Sequence, residues 1–191
     1  ITERKANKIN GFIALFIVIG LFALDIFLLA TGIRTEDPSF LWFFIPLVII
    51  SFVSFGGFMI VQPNESKVLM LFGKYTGTVK DSGFWWVNPF TVKKHVTLRI
   101  RNFNSERLKV NDLHGNPIEI ATVIVWRVVD SARAIFDVQN YEQFVAIQSE
   151  TAIRSMASEY PYDIDDDKPS LRGTPQEIAE NLKNTLQTRL E

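Results

Sequence analysis

Chemistry in this chain would have to come from very few groups. Its 191 residues include two histidines, His95 and His114, and no cysteine. Disulfides, thiolate metal sites and cysteine nucleophiles are therefore excluded, and the redox compartment stays open. His95 falls in an alternating segment and His114 in a turn sequence, neither with a spaced partner, and no Walker loop, G-x-S-x-G elbow or H-E-x-x-H helix is present. The run Asp163-Ile164-Asp165-Asp166-Asp167 has carboxylates at calcium-loop spacing. Lys168 stands where such a loop needs its sharp-turn glycine and Thr174 where it needs a bidentate glutamate, so a solvated acidic loop is expected. A lone serine or aspartate would still need a base and an oxyanion site. The expectation is a non-enzymatic chain with no catalytic residue, cofactor or metal.

The groups that stand out are instead apolar. Hydrophobic residues make up 47% of the chain, 16 of them Phe, and the net charge of −1 argues against a nucleic-acid binder. The excess lies in residues 11–33 and 40–61, each long enough at 1.5 Å per residue to cross a hydrocarbon core of roughly 30 Å. The first carries one charge, Asp25, and the second none. A cleaved signal peptide would have a shorter apolar run and no second span directly after it. The short linker 33–39 makes the pair a helical hairpin. Arg4, Lys5 and Lys8 precede it and Lys67, Lys74 and Lys80 follow, whereas the linker has Arg34 against Glu36 and Asp37. Both ends are therefore expected on the cytoplasmic side, with residues 1–10 a cytoplasmic tail. In the rival arrangement Pro46 kinks the second segment and the hairpin dips in without crossing. Asp25 either makes an intramembrane polar contact, with Ser51, Ser54 or another subunit, or snorkels to the outer interface. Two spans with one carboxylate offer little to a transport pathway.

From residue 62 the texture changes to short apolar runs and turn residues. Strands are expected over 66–72, 92–101, 106–110 and 118–129, the last central and covered on both faces because apolar residues fill both sides of 121–125. Residues 81–90 read as a loop bearing Phe84, Trp85, Trp86 and Phe90. These aromatics either dip into the headgroup layer or fold back so that one tryptophan plugs the core. In 92–101 Lys93, His95, Arg99 and Arg101 share the face opposite Val96, Leu98 and Ile100. That stripe contacts anionic lipid or a neighbouring subunit, or is simply a solvated face.

Helices are expected over 130–136 and from Asn140, whose cap is signalled by Gln143, to about residue 160, with Phe144, Val145, Ala152, Ile153 and Met156 packed. Thr174-Pro175-Gln176-Glu177 starts another, combining an N-cap, an N1 proline and a capping-box glutamate. Its narrow stripe, Ile178, Leu182, Leu186 and Leu190, needs a partner, either the sheet of the same subunit or an equivalent helix in an oligomer; an oligomer helix is our expectation. Residues 62–137 carry 11 basic and 7 acidic side chains and residues 138–191 carry 5 and 10. That division would serve head-to-tail association or attraction to anionic lipid, unless it cancels within one subunit. Opening on Ile1 and stopping inside a helical pattern at Glu191, the sequence reads as an excerpt of a longer protein.

Together, Gly83-Phe84-Trp85-Trp86-Val87-Asn88-Pro89-Phe90, Asn116-Pro117-Ile118-Glu119, Val125-Trp126-Arg127-Val128-Val129-Asp130, Phe136-Asp137-Val138 and Gln148-Ser149-Glu150-Thr151-Ala152-Ile153-Arg154 behind an apolar anchor resemble the SPFH or band 7 family of stomatins, prohibitins, flotillins and HflK/HflC proteins. The resemblance implies an α+β fold: a transmembrane hairpin, then an SPFH domain over 62–191 with a β-rich first subdomain, an α/β second one and a helix continuing past 191. It also implies homo-oligomeric rings or cages on a bilayer, expected to be the bacterial inner (plasma) membrane, that organise membrane microdomains as scaffolds. The alternative role is an adaptor that regulates a membrane-bound AAA-type protease or another membrane protein. Two full spans, and Trp85 and Trp86 in place of a glycine-proline-glycine-like loop, depart from the usual family pattern.

Overall fold

The computed structural model of the chain describes residues 2–35, 38–163 and 169–190. In chain order its elements are β1 (Ile9–Asn10), α1 (Gly11–Thr35), a 3-10 turn (Pro38–Phe40), α2 (Leu41–Phe55), β2 (Phe58–Val61), β3 (Glu65–Leu71), β4 (Lys74–Val79), β5 (Gly83–Trp86), β6 (Thr91–Thr97), β7 (Arg101–Asn104), β8 (Leu108–Asn111), β9 (Pro117–Ile120), β10 (Val123–Trp126), α3 (Ser131–Phe136), α4 (Tyr141–Glu159) and α5 (Pro175–Leu190). The mixed α+β class is as the sequence implies. Two compact units divide the chain: Ile1–Arg99 with Val128–Arg133, and Ile100–Arg127 with Ala134–Glu191.

In the first unit α1 and α2 pack antiparallel, the Phe22 ring lying 5.6 Å from Phe52 and 5.3 Å from Phe55. Pro46 sits within α2 without ending it. The helix expected over 40–61 stops at Phe55, however, and Phe58–Val61 is a strand. Gly56 and Gly57 donate to the carbonyls of Val53 and Ser54 at 3.0 and 3.1 Å, which tightens and closes the last turn. Apolar runs read alike for either element, so composition gave no sign of the switch.

β2 forms one edge of a three-stranded sheet ordered β1-β5-β2. Trp86 at its centre is opposite Ile9 on one side and Phe58 on the other. Two expectations are corrected here. Residues 83–86 are a central strand rather than part of a loop, and the segment read as an N-terminal tail is folded in: Thr78 accepts from Ala6 N–H at 3.1 Å and donates to Arg4 O at 2.8 Å. Gly77 makes room for that segment, since at its φ of +150° an added Cβ would lie 2.6 Å from Ala6 Cα.

A second sheet, β4-β3-β6, completes the unit. Met59, Val61, Leu69, Val79 and Val87 form the core, with Ala6 and Trp85 against it. Ser66 donates to Ser131 Oγ at 2.7 Å, joining β3 to the returning segment 128–133. β3 and β4 are linked by Phe72 and Gly73 alone, at φ +47° and +82°, the signature of a type I′ hairpin. Glycine adopts this conformation freely, whereas a residue with a Cβ loses about 1–2 kcal/mol there.

In the second unit, β7 pairs with β10 and β8 with β9. The single strand expected over 118–129 is thus broken at Ala121–Thr122, where Ser105 and Thr122 exchange hydrogen bonds at 2.9 and 2.8 Å. Because β10 belongs to a two-stranded ladder, Val123 and Val125 are 64% exposed, not covered as expected. Asn140 caps α4 as its sequence predicts, its side chain accepting from the N–H groups of Glu142 and Gln143. α5 begins at Pro175, but the Thr174 hydroxyl accepts from Ser170 N–H at 3.1 Å.

The α5 stripe is used within the unit. Leu182 and Leu186 join Leu108, Ala152 and Ile153 in one buried cluster, flanked by Val110, Ile120, Ile124 and Met156. Ile178 is buried too, and Leu190 half-buried. The expected oligomer helix therefore corrects to a core helix: α4 and the sheet residues already cover the apolar face that a second helix would need.

The buried Asp112 carboxylate ties the β8–β9 turn to the chain leaving α4. It accepts from the N–H groups of His114 at 2.9 Å, Asn116 at 2.7 Å and Tyr162 at 3.1 Å, and from Asn116 Nδ2 at 3.0 Å. Burial alone would raise its pKa, but the bonds from Asn116, Tyr162 and His114 outweigh that and hold it down to about 2.

Two predictions follow from the second unit. Leu182→Ala should destabilise it by about 3 kcal/mol through the cavity it leaves, and Leu190→Ala by less than about 1 kcal/mol, as read from denaturant unfolding. A depressed carboxylate pKa contributes stability that is complete above the ordinary value of 3.8 and is lost as pH falls through about 2. Wild type should therefore melt above Asp112→Asn at pH 5, and the gap should narrow towards pH 2.

Candidate membrane interface

Within the first unit α1 and α2 present an apolar surface that no other described residue of that unit covers. Phe12, Phe16, Ile26, Phe27, Trp42, Phe43 and Phe52 are all exposed. Gly11–Thr35 and Pro38–Phe55 are each long and apolar enough to cross a membrane. At 1.5 Å per residue α1 is about 37 Å long, while α2 with its 3-10 turn reaches only about 28 Å, close to the thickness of a hydrocarbon core.

Between the helices Asp25 is buried, only 4% exposed. Ser51 Oγ donates to its Oδ2 at 2.8 Å, while Oδ1 is buried without a partner among the described residues. Ser54, the other candidate, turns its hydroxyl to its own helix and donates to Ile50 O at 2.7 Å. Helical register decides between them.

The aromatic group at the hairpin base is divided in its roles. Phe84 stacks on Phe58 at 5.3 Å and meets Phe12 edge-on at 5.4 Å. Trp86 donates from Nε1 to Ser54 O at 2.9 Å, capping one of the last carbonyls of α2. Its indole lies where a side chain on Gly57 would be, an added Cβ falling 2.4 Å from Nε1. Trp85 donates to Asp81 O at 2.9 Å beneath the Lys8 ammonium, which sits 3.6 Å from the ring centre. Lys8 also reaches Asp81 Oδ2 at 2.5 Å, and that contact holds the Asp81 carboxyl below 3.8. Phe90 remains exposed and stacks on Phe72. No sequence signal singled out Phe72, because a phenylalanine in a two-residue turn reads as the end of a strand.

The four basic residues do not make one stripe. Lys93 and His95 belong to β6, Arg99 follows it, and Arg101 opens β7 in the other unit. The expected strand ends early, β6 stopping at Thr97, and Ile100, expected on the packed face, is exposed. Lys93 donates to Gly56 O at 2.5 Å and Phe58 O at 3.3 Å, placing a cation at the C-terminal end of α2, where the helix dipole favours one. Burial, with the Lys67 charge adding to it, lowers its pKa from 10.5. His95 Nε2 lies 3.0 Å from Glu65 Oε2. Arg101 pairs with Glu142 and sits 5.9 Å from the rings of Trp126 and Tyr141.

Among the described residues no group of three His, Asp or Glu side chains could hold a metal. Of the acidic run 163–167, residues 164–167 lie outside the described residues, and Asp163 pairs with Arg172 at 2.6 Å. No curated protein matches the chain. Residues 59–191 match the SPFH domain / Band 7 family, starting inside the strand that replaces the end of the expected second span. With that match covering well over half its length, the chain belongs to the SPFH domain / Band 7 family.

Proposed function

We propose that this chain is a membrane-anchored subunit of an oligomeric scaffold, with its helical hairpin in the bilayer and the rest held at the cytoplasmic surface. The two apolar helices and the family suggest membrane association. The observation that carries the reading further is the sheet β1-β5-β2. It pairs the strand entering α1 and the strand leaving α2 with the same residue, Trp86. Both ends of the hairpin then leave on one side, and the adjoining domain is fastened to its base rather than tethered by a linker. Arg4, Lys5 and Lys8 on that side favour the cytoplasmic face.

Self-association is supported by the family and by surfaces the chain leaves open. The exposed Val123 and Val125 lie on the open face of the β7–β10 ladder, opposite the packed Ile124, and the basic and acidic stretches suit head-to-tail contacts. With the α5 stripe already buried, these surfaces replace it as candidates for subunit contact. Rings or cages built this way would confine patches of membrane.

Two measurements test the reading. Single cysteines at Ser39 and Ser82 should label from opposite sides of sealed vesicles, and labelling from one side only would mean that the hairpin does not cross. Solubilised in mild detergent, the chain should run as one large homogeneous particle. A monomer or dimer would overturn the scaffold and leave the adaptor of a membrane protease, or of another membrane protein, as the better account.

A further inference from the structure

We infer that the β3–β4 turn is a second membrane contact, in which the paired rings of Phe72 and Phe90 seat in the headgroup layer beside the hairpin. The inference rests on the hairpin being embedded as proposed above.

Phe72 is 84% exposed and Phe90 59%, and their rings stack on each other with centroids 6.4 Å apart. Isolated exposed apolar side chains are ordinary on protein surfaces. What distinguishes this pair is its backbone and its position. Phe72 holds φ +47° in a two-residue turn where Asn, Asp or Gly would sit without strain. Neither turn geometry nor core packing therefore accounts for a phenylalanine there.

The pair also lies at the end of its sheet nearest the hairpin. Leu71 is opposite Thr91, so the turn and the start of β6 share one end. At that end Pro89, next to Phe90, packs on Gly56 just past α2, where an added Cβ would lie 3.5 Å from Pro89 Cβ. Lys93 binds Gly56 O from the same strand at 2.5 Å. The rings thus stand close to where the apolar helix surface ends, the zone in which aromatic side chains anchor membrane proteins. Exposed Val92 widens the apolar surface, and exposed Lys74, directly after the turn, suits lipid phosphate. A bilayer interface matches this combination of chemistry and level.

The absence of cysteine makes the test direct. Phe72→Cys, Phe90→Cys and Lys74→Cys, each in the full chain, would carry an environment-sensitive fluorophore in phosphatidylcholine/phosphatidylglycerol vesicles containing shallow nitroxide lipid. Each label should lose about half its emission, as expected for an interfacial position, while a label at Gln62→Cys, away from the turn, should lose none. Adding Phe72→Ser and Phe90→Ser to Lys74→Cys should abolish the quenching there. Unquenched labels at 72, 74 and 90, or quenching at 74 that survives loss of both rings, would overturn the inference. A label at Phe16→Cys with deep nitroxide lipid separates the two claims. If it is quenched while the turn is not, the hairpin stands and this contact falls; if it is unquenched, both fall.

Discussion

The first unit depends on Trp86 serving two strands at once. Backbone pairing to Ile9 and Phe58 closes the base of the hairpin, and the indole N–H takes up Ser54 O at 2.9 Å as α2 ends. A helix terminus leaves carbonyls without an intrahelical partner, and near a bilayer, where water is scarce, leaving them unpaired is costly. Trp86 and Lys93 supply side-chain donors there: Trp86 gives Ser54 O, which already takes the Gly57 N–H, a second donor, and Lys93 reaches Gly56 O and, in β2, Phe58 O. The strand and the helix end are consequently one arrangement, and Gly57 is the opening through which the indole reaches it.

Within the hairpin the same economy of polar groups applies. The one carboxylate within the two helices, Asp25, faces Ser51 rather than the apolar surface, and membrane hydrogen bonds of this kind contribute only about 0.6 kcal/mol on average. Its value is positional, because it marks one register of α1 against α2. The second unit is ordinary by comparison. A mixed core covers the stripe of α5, and Asp112 fastens the β8–β9 turn to the end of α4.

Features governed by local rules were legible in the sequence. The apolar runs, the Asn140 cap and the proline start of α5 all emerge at the expected positions because propensity and capping act over a few residues. Features decided by partners were not. Phe58–Val61 reads as the end of a span, since nothing in four apolar residues states whether their backbone bonds run along a helix or across a sheet. Trp85 and Trp86 read as loop aromatics because the strands that flank them come from residues 9–10 and 58–61. The α5 stripe offered two partners, and only the packed unit chooses. Phe72 was invisible for the opposite reason, a local rule broken at a turn.

The measurement closest to the central claim is amide hydrogen exchange of the chain in vesicles. If the β1-β5-β2 sheet fastens the hairpin to the domain, the amides of 58–61 and 83–86 should be protected together, to the level of β3 and β6, and Trp86→Ala should release both segments at once. Exchange of 83–86 at open-loop rates while β3 and β6 stay protected would contradict it.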